Sequence, residues 1–292
     1  TLGMFIVDEF RFLKEDGSPS GRTQEPEIGG GGTYCAVGAR IWLPPSQIGM
    51  IIDRGHDFSP SFQARLDTYG PIFHYRDDPS RQTTRAANIY QGEFRGFEYL
   101  LPRVRISPKN LVGTRLARPK TLHFICSPTR ALEIIAELGE LEWTPTLIYE
   151  PIPDRCIPEE MPQLKDVIPS LHVLSPNADE ALSLLSIPGP PTQASISRAA
   201  SELYSASPTG KPGAVIIRAG ELGAYVFCPP HPGRWVPPCE REGKPVVDVT
   251  GAGNAFLGGL AAGLELSDGD VLGAALYASV TAGFTIEQNS LP

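Results

Sequence analysis

The segment whose residue types most directly suggest chemistry is TGAGN, residues 250–254. A short apolar run at 245–247 predicts a strand before it, and a helix rich in small residues is predicted after it. Glycine lets a ligand approach the backbone closely, and the first amides of a helix point outward at the positive end of its dipole. The segment therefore predicts a loop that holds a phosphate or a developing negative charge; the alternative is a Thr-capped helix start with tight packing. Asn254 occupies the position where such a loop could carry an acid–base residue, yet its amide cannot take up a proton.

Three other polar residues extend this set because each comes just after a predicted strand. They are Asp8, Glu150 and Asn177. In open sheets of parallel strands, ligands bind beyond the carboxyl ends of the strands. We therefore expect these side chains and residues 248–254 to converge on one cleft.

The elements that must position these residues alternate between short apolar strands and helices, which favours a mostly parallel sheet covered on both faces. Segments 10–28 and 77–103 differ from this pattern, and the second, rich in Thr, Tyr and Phe with alternating charges, suits exposed strands or a flap. The predicted strands are 4–7, 49–53, 71–75, 121–125, 146–149, 172–174, 214–217 and 224–227. The predicted helices are 33–43, 60–66, 128–138, 158–168, 177–186, 193–206, the one after residue 251, and about 268–283.

Composition excludes several classes of protein. The 292 residues carry 25 Lys and Arg against 33 Asp and Glu, a formal charge of −8, which argues against nucleic acids and anionic membranes as partners. Five cysteines without a Cys-x-x-Cys pair are typical of reduced thiols in an intracellular, cytoplasmic protein, and five scattered histidines make a zinc site improbable. Walker, Rossmann and Gly-x-Ser-x-Gly motifs are absent from the sequence.

Residues 248–254 resemble the Asp-Thr-x-Gly-Ala-Gly-Asp signature of the PfkB (ribokinase-like) carbohydrate kinases. Asp248 and residues 250–253 match the signature, and Asn254 replaces its final Asp. Three further motifs occur in the order that the family has: GGGGTYCAVGARIW (29–42), PNADEA (176–181) and IIRAGELGAYVF (216–227). The resemblance implies one ribokinase-like α/β domain over 1–292, with a mostly parallel central sheet, helices on both faces and a small β flap from about 10–28 and 77–103. Residues 149–156, 252–259 and 283–292 look closest to the fungal maintenance-of-killer branch.

The same resemblance implies roles for individual residues and implies ATP and Mg²⁺ as cofactors. In that family the final Asp takes the proton from the attacking hydroxyl, and no side chain is predicted to bind metal directly, because the Asn-x-x-Glu motif orders Mg²⁺ and phosphates through water. The catalytic group would comprise Gly251, Ala252, Gly253 and Asn254. Nucleotide contacts would come from Asn177, Glu180, Arg218, Gly220, Gly223 and Thr250, and the acceptor side from Asp8, Gly30, Gly31 and Tyr34.

Structural alternatives accompany several of these assignments. Asn177 and Glu180 also have the spacing of an N-terminal capping box, which needs no metal. The glycines of the 216–227 segment also suit a hairpin, and acids often end strands for solubility alone. Glu150 and Arg155 lie where the family has substrate-side polar groups, but a surface ion pair is an equal alternative.

Four departures from the family pattern bear on activity. Asn254 removes the general base, a contribution of about 10²–10⁴-fold in rate. Tyr34 replaces an Asn that usually contacts the sugar, which favours a flatter or more apolar ligand, and Arg218 stands where Thr is common. Family members usually continue past the position of Pro292 into a closing helix, so the sequence suggests either truncation or a reduced nucleotide wall.

Three hypotheses follow for a chain with this pattern. The first is an ATP-binding small-molecule kinase homologue whose phosphotransfer is weak or lost. The second is a non-catalytic binding or scaffold protein. The third is a pocket turned to different chemistry on an apolar small molecule, shaped by Tyr34 and the flap aromatics Tyr90, Phe94, Phe97 and Tyr99. An exposed flap permits a homodimer without requiring one.

Overall fold

The computed structural model describes residues 1–92, 94–239 and 243–292 and contains twelve strands and eight α-helices in those ranges. The strands are β1 (Ile6–Leu13), β2 (Glu27–Gly29), β3 (Met50–Arg54), β4 (Phe73–Asp77), β5 (Arg85–Gln91), β6 (Phe94–Tyr99), β7 (Thr121–Cys126), β8 (Thr146–Pro151), β9 (Val173–Leu174), β10 (Ala214–Arg218), β11 (Ala224–Phe227) and β12 (Arg234–Val236). The helices are α1 (Gly31–Arg40), α2 (Pro60–Asp67), α3 (Pro128–Glu140), α4 (Met161–Val167), α5 (Ala178–Leu184), α6 (Gln193–Tyr204), α7 (Ala252–Leu266) and α8 (Val271–Ile286).

A six-stranded sheet in the order β12-β11-β10-β9-β8-β7 forms the centre of the molecule. Strands β7 to β10 run parallel, and β11 and β12 add antiparallel strands at one edge. At the other edge the Leu2 amide donates to the His123 carbonyl at 2.9 Å, so the segment before β1 lies beside β7. Strands β3 and β4 form a separate parallel pair.

Helices cover both faces of the central sheet because its strands are buried on both sides. Along β8, Ile148 packs with α7 and α8, whereas its neighbour Tyr149 packs with α3 to α6 on the opposite face. Both side chains are fully buried. The predicted fold class, a mostly parallel sheet with helices on both faces, is confirmed. Among the described residues, no helix has the length and apolar character needed to cross a membrane.

A second sheet, in the order β2-β1-β5-β6, is built largely from the two predicted flap segments. Strand β1 pairs antiparallel with β2 and parallel with β5. Strand β6 is an edge strand, and its Phe94 and Phe97 are 60% and 53% exposed. The homodimer through this flap stays a prediction.

Two strand predictions differ from the structure, and one strand of the structure has no predicted counterpart. Strand β1 begins at Ile6 and continues past Asp8, so Asp8 lies within a strand and not after its end. Residues 245–247 are irregular and exposed, because Pro245 has no amide to donate and the run is too short to bury. Strand β12 carries no apolar alternation in the sequence and was not predicted.

Helix α7 makes close contact with both α1 and α8, as its small residues predict. A Cβ atom on Gly258 would collide with the Cys35 carbonyl of α1, and one on Gly259 would collide with Thr281 of α8. Phe256 and Leu260 on the same helix pack into the core against the sheet. The amino end of α7 is therefore held rigidly between two helices and the sheet.

Candidate functional site

The turn before α7 is shaped by glycine and not by a threonine cap. Gly251 is the N-cap residue with φ +76°, in the left-handed region, and makes no side-chain cap bond. Thr250 instead bonds Asp248, with its amide at 2.9 Å and its hydroxyl at 2.8 Å from Oδ1. The Thr-capped alternative is therefore wrong, because the N-cap residue is Gly251 and the hydroxyl of Thr250 is bonded to Asp248.

The first amides of α7 are available to a ligand. The Ala252 amide donates to Val249 and the Ala255 amide to Gly251. The amides of Gly253 and Asn254 donate to no backbone carbonyl within the described part of the chain. Since these amides lie at the positive end of a 15-residue helix, the turn can hold an anion, as the sequence predicts.

Asn254 donates its side-chain amide to a buried carboxylate. The distance from Nδ2 to Glu150 Oε2 is 2.7 Å, and a Cβ atom built on Gly31 would lie 3.0 Å from the same nitrogen. Burial opposes ionisation of Glu150, yet Arg218 and His123 together hold its pKa below the usual range. An ionised carboxylate only accepts hydrogen bonds, so the Asn254 group facing it is the NH₂.

Arg218 is the main cationic partner of Glu150. Its Nη2 lies 2.8 Å from Glu150 Oε1, 3.7 Å from Glu180 Oε2 and 3.0 Å from the Ser175 carbonyl oxygen. A methyl group on Gly253 would collide with Arg218 Nη1, so the guanidinium lies directly against the turn. The alternative of a surface pair between Glu150 and Arg155 is wrong, because Glu150 is 4% exposed.

His123 adds a second positive charge to this cluster. Its Nε2 lies 3.5 Å from Glu150 Oε2, and the ring is almost fully buried. Burial alone would lower the pKa of His123, but Cys35 and Glu150 raise it to about 9. His123 lies in the middle of β7 with no motif around it, so no signal in the sequence predicts its role.

The Asn177–Glu180 pair forms the capping box predicted as the structural alternative. The Asn177 side chain accepts from the Glu180 amide at 2.8 Å, and Glu180 Oε2 accepts from the Asn177 amide at 2.7 Å. Burial raises the pKa of Glu180 to about 7, against the opposing effect of Arg218. The pair thus begins α5 and also borders the guanidinium of Arg218.

The acceptor side of the cleft is a cavity of about 270 Å³ between the flap and the α7 turn. Asp8 lines it, and Oδ1 of Asp8 is buried without a hydrogen-bond partner among the described residues. Burial first, and Glu27 second, raise the pKa of Asp8 to about 7. Tyr34 lines the same cavity, and its ring fills the space that a side chain on Gly251 would need.

Replacing Asp8 with Asn is expected to stabilise the protein at pH 8 by about 4 kcal/mol. The folded-state pKa of Asp8 is raised to about 7, so its charge costs stability above that pH. The cost shrinks as the pH falls towards the unfolded-state pKa of about 3.9. Urea denaturation at pH 8 and pH 4 measures the difference. The exposed Asp166→Asn serves as the control, and equal stability of wild type and Asp8→Asn at pH 8 would contradict the expectation.

The remaining predicted residues lie around this cleft in two groups. Gly30 is the N-cap residue of α1 and Gly31 is its first residue, which lies next to Asn254. Gly220 and Gly223 form the turn between β10 and β11, both with positive φ, as the hairpin alternative predicts. Of the four flap aromatics, Tyr90 lines the cavity, Tyr99 lines a separate cavity, and Phe94 and Phe97 are exposed, so the prediction that all four shape one cavity is wrong.

The fold and the cleft together define a ribokinase-like protein, and comparison with known proteins agrees. Residues 127–291, more than half of the chain, match the pfkB family of carbohydrate kinases. An uncharacterised protein of Schizosaccharomyces pombe is 34% identical over 318 residues, and protein MAK32 of Saccharomyces cerevisiae is 30% identical over 323 residues. Each alignment covers all of this chain and 85% of the relative.

Among solved structures, the ribokinase of Cryptococcus neoformans in complex with ADP superimposes with a TM-score of 0.70. The match has 20% sequence identity and covers 99% of this chain and 92% of that chain. The chain belongs to the pfkB family. Its resemblance to the fungal maintenance-of-killer branch is confirmed by the similarity to MAK32.

Proposed function

We propose that this chain is an ATP-binding relative of the sugar and nucleoside kinases in which phosphoryl transfer is weak or lost. The observation that carries the proposal is the hydrogen bond from Asn254 Nδ2 to Glu150 Oε2. The residue in the position of the general base is a neutral amide: its Nδ2 donates to the protein, and its oxygen can accept a hydrogen bond but cannot take up the proton of an attacking hydroxyl.

Nucleotide binding is supported by features that the substitution leaves intact. The α7 turn presents the free amides of Gly253 and Asn254, and Gly251 keeps the left-handed conformation that aims them. The fold is shared with a ribokinase that holds ADP. A phosphate group bound at this turn is stabilised by the helix dipole and the amides together.

The acceptor cavity suits a small polar molecule. Its lining carries the charged side chains of Asp8, Arg22 and Glu27 next to Asn88, with Phe12 and Tyr90 stacked at one wall. Hydroxyl groups would satisfy the unpartnered oxygen of Asp8. Polar lining of this kind favours a ligand with hydroxyls over the apolar ligand considered from the sequence.

Calorimetry with ATP tests nucleotide binding, and an ADP-release assay over a panel of sugars and nucleosides tests turnover. We expect ATP to bind and ADP release to be about 10²–10⁴-fold slower than an intact base would give. Absence of ATP binding with and without Mg²⁺ would overturn the proposal, as would ADP release at ordinary kinase rates of about 1–100 s⁻¹.

A further inference from the structure

The side chains beside the α7 turn do not fit the magnesium ion that the fold family implies. Mg²⁺ requires near-octahedral oxygen ligands and retains several waters. An ion held through water needs no direct bond from Asn177 or Glu180, whose Oδ1 and Oε2 form the capping box at 2.8 and 2.7 Å, so its fit depends on the charge beside them. The guanidinium of Arg218 lies 3.7 Å from Glu180 Oε2, where it would repel a second cation. In the described ranges there is also no cluster of three or more His, Cys, Asp or Glu suited to a metal.

The positive charge at this place comes from the chain itself. Arg218 is nine-tenths buried, and its Nη2 is held by Glu150 and by the Ser175 carbonyl. Its Nε is buried and has no hydrogen-bond partner among the described residues. Its Nη1 lies against Gly253, at the amides that the α7 turn leaves free. A fixed guanidinium and two free amides thus lie next to one another at the amino end of α7.

These two features together make an anion site. A guanidinium offers planar, directional donors that match phosphate oxygens, and it remains charged at every physiological pH. Helix amides add donors and the positive end of the dipole. Gly253 has no side chain, so the Arg218 guanidinium lies in direct contact with the turn. A phosphate oxygen placed there would contact both without a bridging metal ion.

We infer that Arg218 replaces the divalent cation in this site, so that a phosphate group binds at the α7 turn, in contact with both its amides and Arg218, without a metal ion. For ATP the inference rests on the proposed function; for a phosphate group alone it stands independently. It assigns Arg218 a specificity role, because free ATP carries more negative charge than Mg–ATP and suits a site that already holds a cation.

Calorimetry with two probes, ATP and inorganic pyrophosphate, tests the inference in EDTA and in excess Mg²⁺. We expect wild type to bind free ATP at least as tightly as Mg–ATP, and pyrophosphate to bind in EDTA. Glu150→Gln/Arg218→Thr removes the guanidinium and the carboxylate together, and the buried His123, which loses its carboxylate partner, can release its proton and become neutral, so the variant avoids a large uncompensated buried charge. This variant should bind both probes in EDTA about tenfold or more weakly, the loss expected for a charge-assisted hydrogen bond. The control Arg198→Thr lies on exposed α6 and should bind as wild type does.

The outcomes separate this inference from the proposed function. If wild type binds ATP only with Mg²⁺, the inference is overturned while nucleotide binding stands. If pyrophosphate binds in EDTA through Arg218 but ATP does not bind, the metal-free anion site is supported and the nucleotide proposal is wrong. Unchanged affinity in Glu150→Gln/Arg218→Thr, or no binding of either probe to wild type, would also overturn the inference.

Discussion

Replacing Asn254 with Asp is expected to lower the free energy of unfolding by about 3 kcal/mol and to restore no ATP turnover. The new carboxylate would take the place of an amide that lies 2.7 Å from Glu150 Oε2. Two carboxylates at this distance cannot both ionise, so they share a proton and one pKa rises strongly. Because Arg218 and His123 favour the charged form of Glu150, the proton would reside on the introduced Asp. A protonated Asp is no base.

The double variant Glu150→Gln/Asn254→Asp separates this explanation from simple loss of packing. The side-chain NH₂ of the introduced Gln would donate to the new carboxylate at position 254, so the hydrogen bond between these two positions would run in the reverse direction from that in wild type. The Gln oxygen would still accept from Arg218. Urea denaturation should place the double variant within about 1 kcal/mol of wild type. The exposed Asn289→Asp is the matched charge control. Equal destabilisation of single and double variants would contradict the expectation.

Replacing Arg218 with Thr, the residue common in the family at this position, is expected to destabilise the protein by about 3–5 kcal/mol at pH 7. The change leaves the buried Glu150 carboxylate without its 2.8 Å partner. In wild type the pKa of Glu150 is lowered in the folded protein. The ionised, paired carboxylate therefore stabilises the fold above the unfolded-state pKa of about 4.3, and this stabilisation is lost as the pH falls. The gap between Arg218→Thr and wild type should therefore narrow from pH 7 to pH 4.

Denaturation at several pH values measures this gap. Arg198→Thr, which removes an exposed i,i+4 bridge to Glu202, is the control and should cost less than about 0.5 kcal/mol at each pH. Adding Glu150→Gln to Arg218→Thr should recover most of the lost stability. A gap that is the same at pH 7 and pH 4 would show that Arg218 acts through packing and not through its charge.

The local sequence pattern predicts much of the fold and the helices and strands that surround the site. The strand and helix alternation from residue 121 onward is confirmed because continuous apolar runs are buried on both faces of a parallel sheet. The Asn177–Glu180 capping box is also confirmed, since it depends on residues only three apart. Glycines 258 and 259 predict the close packing of α7 because only a missing side chain allows it.

The chemistry of the site could not be predicted in the same way because it depends on contacts between distant segments. Glu150, Arg218, Asn254 and His123 come from β8, β10, α7 and β7, and their pairing is a property of sheet order. From the sequence, Asn254 is only a residue that cannot take up a proton. The structure shows that its partner is the Glu150 carboxylate, which requires a hydrogen-bond donor. Asn254 and Arg218, two separate departures in the sequence, therefore serve one ionised Glu150.

The central claim is that this site can hold ATP but cannot activate an acceptor. A single-turnover experiment tests it most directly, with protein in excess over labelled ATP and a panel of sugars and nucleosides as acceptors. We predict that ATP is bound and recovered intact from wild type and from Asn254→Ala alike. Rapid formation of ADP and a phosphorylated acceptor by wild type, at the seconds timescale of an ordinary kinase, would contradict the claim.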